Sequence, residues 1–123
     1  MDGCFTINVS NGILTVLFSQ EPSKEDIHNA LIETSKNHTV TKRLWDFSEI
    51  KFNLSQNQLQ DIAEFAKNLF IQPSKVAMVA SSDLSFGVSR IYEVFREDNQ
   101  TEVKVFRKIE DGRRWLMNDS PNR

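Results

Sequence analysis

The sequence predicts an α/β domain with an opening β-hairpin, followed by alternating helices and mostly parallel strands, with about five strands and four helices. Two observations support this fold class. Short apolar runs with the two-residue period of strands alternate with longer segments whose apolar residues recur every three or four positions. An Asn-Gly pair separates the first two strand-like runs, whereas a helical segment separates each later pair of strands, which favours parallel pairing.

The first two strands form the predicted hairpin. The stretch "CFTINVS" alternates Phe5, Ile7 and Val9 with polar residues, and "ILTVLFS" follows the pair Asn11-Gly12. Both central positions of a type I′ turn need a positive φ angle, which asparagine and glycine tolerate best. We therefore expect a two-residue turn between these strands.

Capping residues and apolar spacing indicate the first two helices. Ser23 and Asp26 have the spacing of a capping box, in which each side chain binds a backbone N–H of the other residue. Ser55 and Gln58 repeat this spacing at the start of the second helix. The second helix is expected to pack on the sheet through an apolar stripe formed by Leu59, Ile62, Ala63, Ala66, Leu69 and Phe70.

The remaining elements complete the alternation. The third, fourth and fifth strands are "KRLWDF", "KVAMVA" and "EVKVFR". A third helix follows the fourth strand, with Ser82 or Asp83 as its cap, and residues 109–117 form a short last helix. We expect a single domain over residues 1–117 and a frayed tail over residues 118–123.

Composition and charge argue against several classes of function. Fifteen basic and seventeen acidic residues among 123 give a formal net charge of −2, which is a poor match for nucleic acid. No apolar run approaches the roughly 20 residues that a membrane span needs. Cys4 is the single cysteine, and the chain starts without the pattern of a secretion signal. We therefore expect a cytoplasmic protein.

The sequence contains no recognisable motif for a metal, a cofactor or a catalytic nucleophile. His28 and His38 are ten residues apart, and no cysteine or acidic cluster gives the spacing of metal ligands. Gly87 stands alone, whereas a phosphate-binding loop needs several glycines before a lysine. No serine has the Gly-x-Ser-x-Gly setting of a hydrolase. We expect a non-enzymatic protein without a cofactor, and an enzyme of unrecognised chemistry is the least favoured alternative.

Three stretches carry a resemblance to a known family. "KVAMV" (75–79), "SFGVSRIYEVF" (85–95) and "EVKVFRKIEDGRRWL" (102–116) resemble the SpoIIAA-like proteins, a bacterial group with the STAS fold. The likeness covers nearly the whole chain in the order and spacing of its elements. It implies a STAS-like, cytoplasmic, non-enzymatic domain related to anti-sigma-factor antagonists. Those antagonists bind a partner kinase and are switched by phosphorylation of a serine at the start of the helix after the third strand.

Ser55 is the nearest counterpart of that serine. The antagonists have an Asp, two hydroxyl residues and a Gly at this place, whereas this chain reads Asn53-Leu54-Ser55-Gln56. Because the flanking acid and glycine are absent, Ser55 is a weak candidate for a phosphoacceptor, and helix capping is the favoured interpretation. STAS domains also share a general likeness with lipid-binding Sec14-type domains. The alternative function is therefore a carrier or sensor of a small apolar ligand.

The expected working surface lies at the carboxyl ends of the third and fourth strands, where ligands usually meet parallel sheets. If these strands are neighbours, residues 46–55 and 81–86 form one rim, called the lip below. The lip is expected to bind a protein partner or a ligand, and a homodimer is also possible. The predicted contact residues are Asp46, Phe52, Ser55, Ser82, Asp83 and Phe86.

Several of these residues have a simpler structural interpretation. Asp46 ends a strand, and its favoured role is to accept hydrogen bonds from the following turn. Two interpretations remain open for phenylalanines that fall off the best apolar stripes: large rings of the core, or exposed aromatics of a partner surface. Tyr92 is expected in the core, and Arg90 in solvent or in an ion pair with Glu93 or Glu97. The phenylalanines concerned are Phe47, Phe52, Phe65 and Phe86.

Overall fold

The computed structural model describes residues 4–37 and 39–118 and confirms the predicted α/β fold. The predicted frayed tail lies outside the described residues except for Asn118. The described residues form five strands and four helices, and helices and strands alternate after the opening hairpin. They are β1 (Phe5–Ser10), β2 (Ile13–Phe18), α1 (Lys24–Ser35), β3 (Lys42–Asp46), α2 (Gln56–Leu69), β4 (Ser74–Val79), α3 (Asp83–Arg96), β5 (Thr101–Phe106) and α4 (Ile109–Met117).

The five strands form one sheet whose spatial order, β1-β2-β3-β4-β5, follows the order of the sequence. β1 and β2 are antiparallel, and each later strand lies parallel to the one before it. At the tip of the hairpin, Asn11 has a φ angle of 56° and Gly12 one of 78°. The predicted turn with two positive φ angles is therefore confirmed.

Three helices cover one face of the sheet and a single helix covers the other. Helices α1, α2 and α3 pack on the side chains of β2 to β5 that include Val16, Trp45 and Met78. Each of these helices connects two adjacent parallel strands, and right-handed crossovers that advance in one direction leave their helices on the same face. On the opposite face, Leu116 of α4 packs against Leu44 and Val79.

The face under helices α1, α2 and α3 is apolar at its centre and polar near the start of β3, β4 and β5. Alternate residues of a strand point to the same face, so Arg43 shares the covered face with Trp45. In the paired register Arg43 lies between Leu14 of β2 and Val76 of β4. A charged side chain is thus placed where its neighbours on both sides are buried and apolar.

Candidate functional site

The two loops of the predicted lip are held together, because β3 and β4 are neighbours in the sheet. The backbone N–H of Phe47 donates a hydrogen bond of 2.8 Å to the carbonyl oxygen of Val79 at the end of β4. The backbone N–H of Phe52 donates one of 2.8 Å to Oγ of Ser85 in α3. The first loop is therefore fixed against both the strand and the helix that flank the second loop.

The two phenylalanines of the first loop belong to the core. Phe47 and Phe52 are each 2% exposed, and their rings stack with centroids 4.2 Å apart. Phe47 also stacks on Phe18 of β2 at 4.9 Å. An exposed position for these two rings is therefore wrong, because the stack carries both of them beneath the helices. Phe65 and Phe86 are half-buried.

The side chains of Asp46 and Ser55 both accept hydrogen bonds from backbone N–H groups. Asp46 is buried, and its Oδ1 accepts a hydrogen bond of 2.9 Å from the backbone N–H of Ser48, which confirms the turn role. Oγ of Ser55 accepts a hydrogen bond of 3.2 Å from the backbone N–H of Gln58. In return, Oε1 of Gln58 accepts one of 2.9 Å from the backbone N–H of Ser55. This reciprocal pair confirms the predicted capping box. A phosphoacceptor role for the exposed Ser55 stays a prediction.

The second loop presents charge at the surface. Ser82 is the N-cap of α3, and its Oγ accepts 3.1 Å from the backbone N–H of Ser85. Asp83 is exposed, and its Oδ1 accepts a hydrogen bond of 2.7 Å from Nη1 of Arg107. The guanidinium group of Arg107 also lies 4.3 Å from the centre of the Phe86 ring. Sequence reasoning missed Arg107. It follows β5, whose carboxyl end lies beside that of β4, and this adjacency was the signal that pointed to it.

An apolar surface on α3 begins at the lip. Leu84, Ile91 and Val94 are exposed by 46%, 43% and 78%. Spacings of seven and three residues place these side chains on one side of a helix, and we call them the α3 stripe. The opposite side of the helix is buried, and the prediction of Tyr92 as a core residue is confirmed. Arg90 pairs with Glu93 at 3.1 Å, one of its two predicted partners.

A second polar site lies at the opposite end of the sheet, near the amino ends of β3 and β4. The side chain of Arg43 is in the core, only 4% exposed. Its Nη2 donates a hydrogen bond of 2.9 Å to Oγ of Ser74, and its guanidinium lies 4.0 Å from the centre of the Phe70 ring. No carboxylate within residues 4–37 and 39–118 pairs with Arg43, so only neutral groups contact this charge.

Arg96, at the end of α3, approaches the same region and is 2% exposed. Its Nη2 donates a hydrogen bond of 3.2 Å to Oγ1 of Thr101, and its Nη1 lies 3.5 Å from Oδ2 of Asp98. Oδ1 of Asp98 also accepts 2.8 Å bonds from the backbone N–H groups of Gln100 and Thr101. Burial raises the pKa of Asp98, but these hydrogen bonds and Arg96 lower it by more. Asp98 is therefore the counter-charge of Arg96, and its carboxylate is shared with two backbone N–H groups.

The buried Arg96 affects Arg43 electrostatically. Burial lowers the pKa of Arg43 to about 10, and the positive charge of Arg96 acts in the same direction. Burial raises the pKa of Tyr92 to about 12, against the opposing effect of both arginines. At neutral pH the core therefore contains two positive charges beside a neutral phenol.

These charges line an otherwise apolar space. An internal cavity of about 30 Å³, lined by Arg43, Arg96, Tyr92 and ten apolar residues, lies between the sheet and the helices. That volume has room for about two water-sized groups. A surface pocket of about 290 Å³ lies next to it, and Arg43 and Phe70 line both spaces. The rest of the surface pocket consists of Ser35, Val40, Thr41, Leu69, Ile71, Gln72 and Ser74.

Both arginines could have been found from the sequence. Arg43 alternates with Trp45 in a strand predicted to be covered by helices, so its side chain had to point into the core. Arg96 follows Tyr92 by four residues, on the side of α3 predicted to be buried. A charged side chain at a core position is rare unless it is paired or functional. The signal that was missed is therefore an arginine at a position whose pattern predicts an apolar core residue.

The comparisons with family models and with curated proteins identify no relative. No protein-family model matches the sequence, and no curated protein matches it. The likeness to SpoIIAA-like proteins thus stays a prediction. In the described part of the chain, no group of three or more His, Cys, Asp or Glu side chains is placed to hold a metal ion. None of the helices described there combines the length and the apolar character that crossing a bilayer requires.

Proposed function

We propose that this domain is a non-enzymatic regulatory or protein-interaction module of STAS type, working in the cytoplasm. The observation that carries the proposal is the α3 stripe, because exposed apolar side chains in one row are typical of a protein interface. The stripe adjoins Ser82, Asp83 and Phe86, three exposed or half-buried residues of the lip. Together they give a surface with an apolar centre and a charged, hydroxyl-rich end.

The partner in this proposal is a protein that lays one apolar helix face along α3. From Leu84 to Val94 the stripe is about 15 Å long at 1.5 Å per residue, which corresponds to three turns of a partner helix. The ion pair of Asp83 with Arg107 lies at the lip end and can exchange partners with a polar residue of the incoming helix. A second copy of this chain is the alternative occupant, and the oligomeric state in solution distinguishes it.

The test uses Val94→Lys and the control Met117→Lys, at an exposed residue outside the stripe and the pockets. Both residues are exposed by more than half, so neither change should unfold the protein. We expect tagged wild-type protein and the control to retain the same partner from cells of the native host, and Val94→Lys to lose it. If Val94→Lys retains the partner at the wild-type level, or if the wild type retains none and is a monomer by light scattering, the proposal fails.

A second candidate function is the carriage or sensing of a small apolar ligand. The internal cavity and the adjoining surface pocket favour it, since ligand sites are concave and mostly apolar with a few polar groups. Native mass spectrometry of protein purified from its own cells should show a retained small molecule. A spectrum with the mass of the bare chain alone would count against this function.

A further inference from the structure

The core contains two buried arginines but only one carboxylate partner for them among the described residues, and that partner pairs with Arg96 and not with Arg43. Both residues are at least 96% buried, and the carboxylate that pairs with either of them among the described residues is that of Asp98, 3.5 Å from Arg96. A guanidinium has five N–H donors, whereas Arg43 makes one hydrogen bond and one ring contact. Buried charges in proteins are normally paired and fully hydrogen-bonded.

The position of the arginines indicates what kind of group would compensate them. Arg43 lines both the internal cavity and the surface pocket, so an anion reaching it from solvent would also approach Arg96. The apolar groups around that path are Val40, Leu69, Phe70 and Ile71. A small inorganic anion has no apolar surface to bury against this lining, whereas an organic anion would bury its apolar chain there.

We propose that Arg43 and Arg96 bind the carboxylate of an organic monoanion whose apolar chain occupies the surface pocket beside Phe70. This inference rests on the second candidate function above and names its ligand class. Arginine suits the role because its planar fork matches the two oxygens of a carboxylate. The carboxylate lies in the internal cavity, which has room for a group of that size, and the chain leaves past Phe70.

The position of this site is unusual for an open parallel sheet. In open parallel sheets, ligands usually bind at the carboxyl ends of the strands, where this chain has the lip. The buried arginines lie at the amino ends instead, among the polar first residues Ser74 of β4 and Thr101 of β5. A partner on the lip and an anion at the opposite end would therefore occupy separate surfaces of one domain.

The test measures binding of octanoate and of its neutral analogue octanol to the full chain by calorimetry and amide NMR. Charge-assisted hydrogen bonds should make octanoate bind at least about tenfold more tightly than octanol. Arg43→Met should abolish that preference, while Arg90→Met, which removes an exposed arginine, should preserve it. Octanoate should shift the amide signals of Arg43, Phe70 and Ser74.

Each contrary outcome has a distinct meaning. If octanol binds as tightly as octanoate and Arg43→Met changes neither affinity, ligand carriage stands and the anionic head group is overturned. If acetate binds as tightly as octanoate, the site serves a small anion and the role of the chain is overturned. If neither octanoate nor octanol binds, both the inference and the carrier function fail. The comparison of octanoate with octanol on unaltered protein remains decisive even if Arg43→Met does not fold.

Discussion

At the scale of single residues, His28 on α1 illustrates how burial controls a charge. Its ring stacks on Phe65 of α2 with centroids 4.3 Å apart, and its Nε2 is buried without a hydrogen-bond partner among the described residues. Burial lowers the pKa of His28 below its ordinary value, and the nearby Lys24 acts in the same direction. Asp61 and Glu25 oppose this shift by a smaller amount. The folded protein therefore favours the neutral imidazole.

This burial predicts a dependence of stability on pH. Below about pH 6.5 the unfolded chain protonates His28, whereas the folded chain does so only at a lower pH. The stabilisation is complete above pH 6.5 and is lost as the pH falls through the folded-state pKa. Urea unfolding between pH 7.5 and pH 5 should show a steeper loss of stability for the wild type than for His28→Gln. Parallel curves for the two proteins would contradict the prediction.

At the scale of secondary structure, the helix caps were readable because they depend on a few adjacent residues. Ser55 and Gln58 cap α2, and Ser23 and Asp26 form the same box on α1. Short-range spacing contains all the information that such a motif needs. The burial of Phe52 was not predictable in this way, because it depends on the stacking of its ring on Phe47 and on a hydrogen bond to Ser85 of α3, 33 residues away.

The cap of α2 gives a prediction for Ser55. Ser55→Ala removes the acceptor for the N–H of Gln58 and should lower the free energy of unfolding by about 0.5 to 2 kcal/mol. Ser55→Asp can still cap the helix and should be nearly neutral. Urea melts of the three proteins provide the measurement. Stoichiometric phosphate on Ser55 in protein from the native host would show that the residue is more than a cap.

The apolar stripe of α2 gives a second prediction at this scale. Ile62 is 1% exposed and lies in the core cluster between the helices and the sheet. Ile62→Ala should lower the free energy of unfolding by about 2 to 5 kcal/mol, because it removes buried methyl groups and leaves a cavity. Gln60→Ala, on the exposed side of the same helix, should change stability by less than about 0.5 kcal/mol. A loss below about 0.5 kcal/mol for Ile62→Ala would be inconsistent with its packing.

At the scale of the whole molecule, the order of elements was predictable, whereas the nearness of the two buried arginines to each other was not. Periodicity gave all nine elements, and the paired register then brought Arg43 under the helices. Arg43 and Arg96 lie close together in the structure although they are 53 residues apart in the sequence. Such a juxtaposition follows from strand order and helix packing, which local patterns do not contain. Because ligands of open parallel sheets usually bind at the carboxyl ends of the strands, the sequence-based prediction placed the site there instead.

The separation of the two ends leads to a prediction for the partner protein. In an amide NMR titration, the partner recovered by the wild type should shift signals of Ser55, Ser82, Asp83 and Phe86 together with those of the α3 stripe. Arg43 at the other end of the sheet should change little. Shifts confined to the Asn11-Gly12 turn and the loop near Asn99 would exclude the lip as the binding surface.

The sequential strand order also has a consequence for how the chain is made. Each strand pairs with the one synthesised just before it, so the sheet can grow as the nascent chain leaves the ribosome. Leu44 and Val79, on the face opposite the three crossover helices, have no cover until α4 has been translated. Until the nine-residue α4 packs there, this apolar patch is exposed, and transient exposure of that kind makes a nascent chain prone to aggregation.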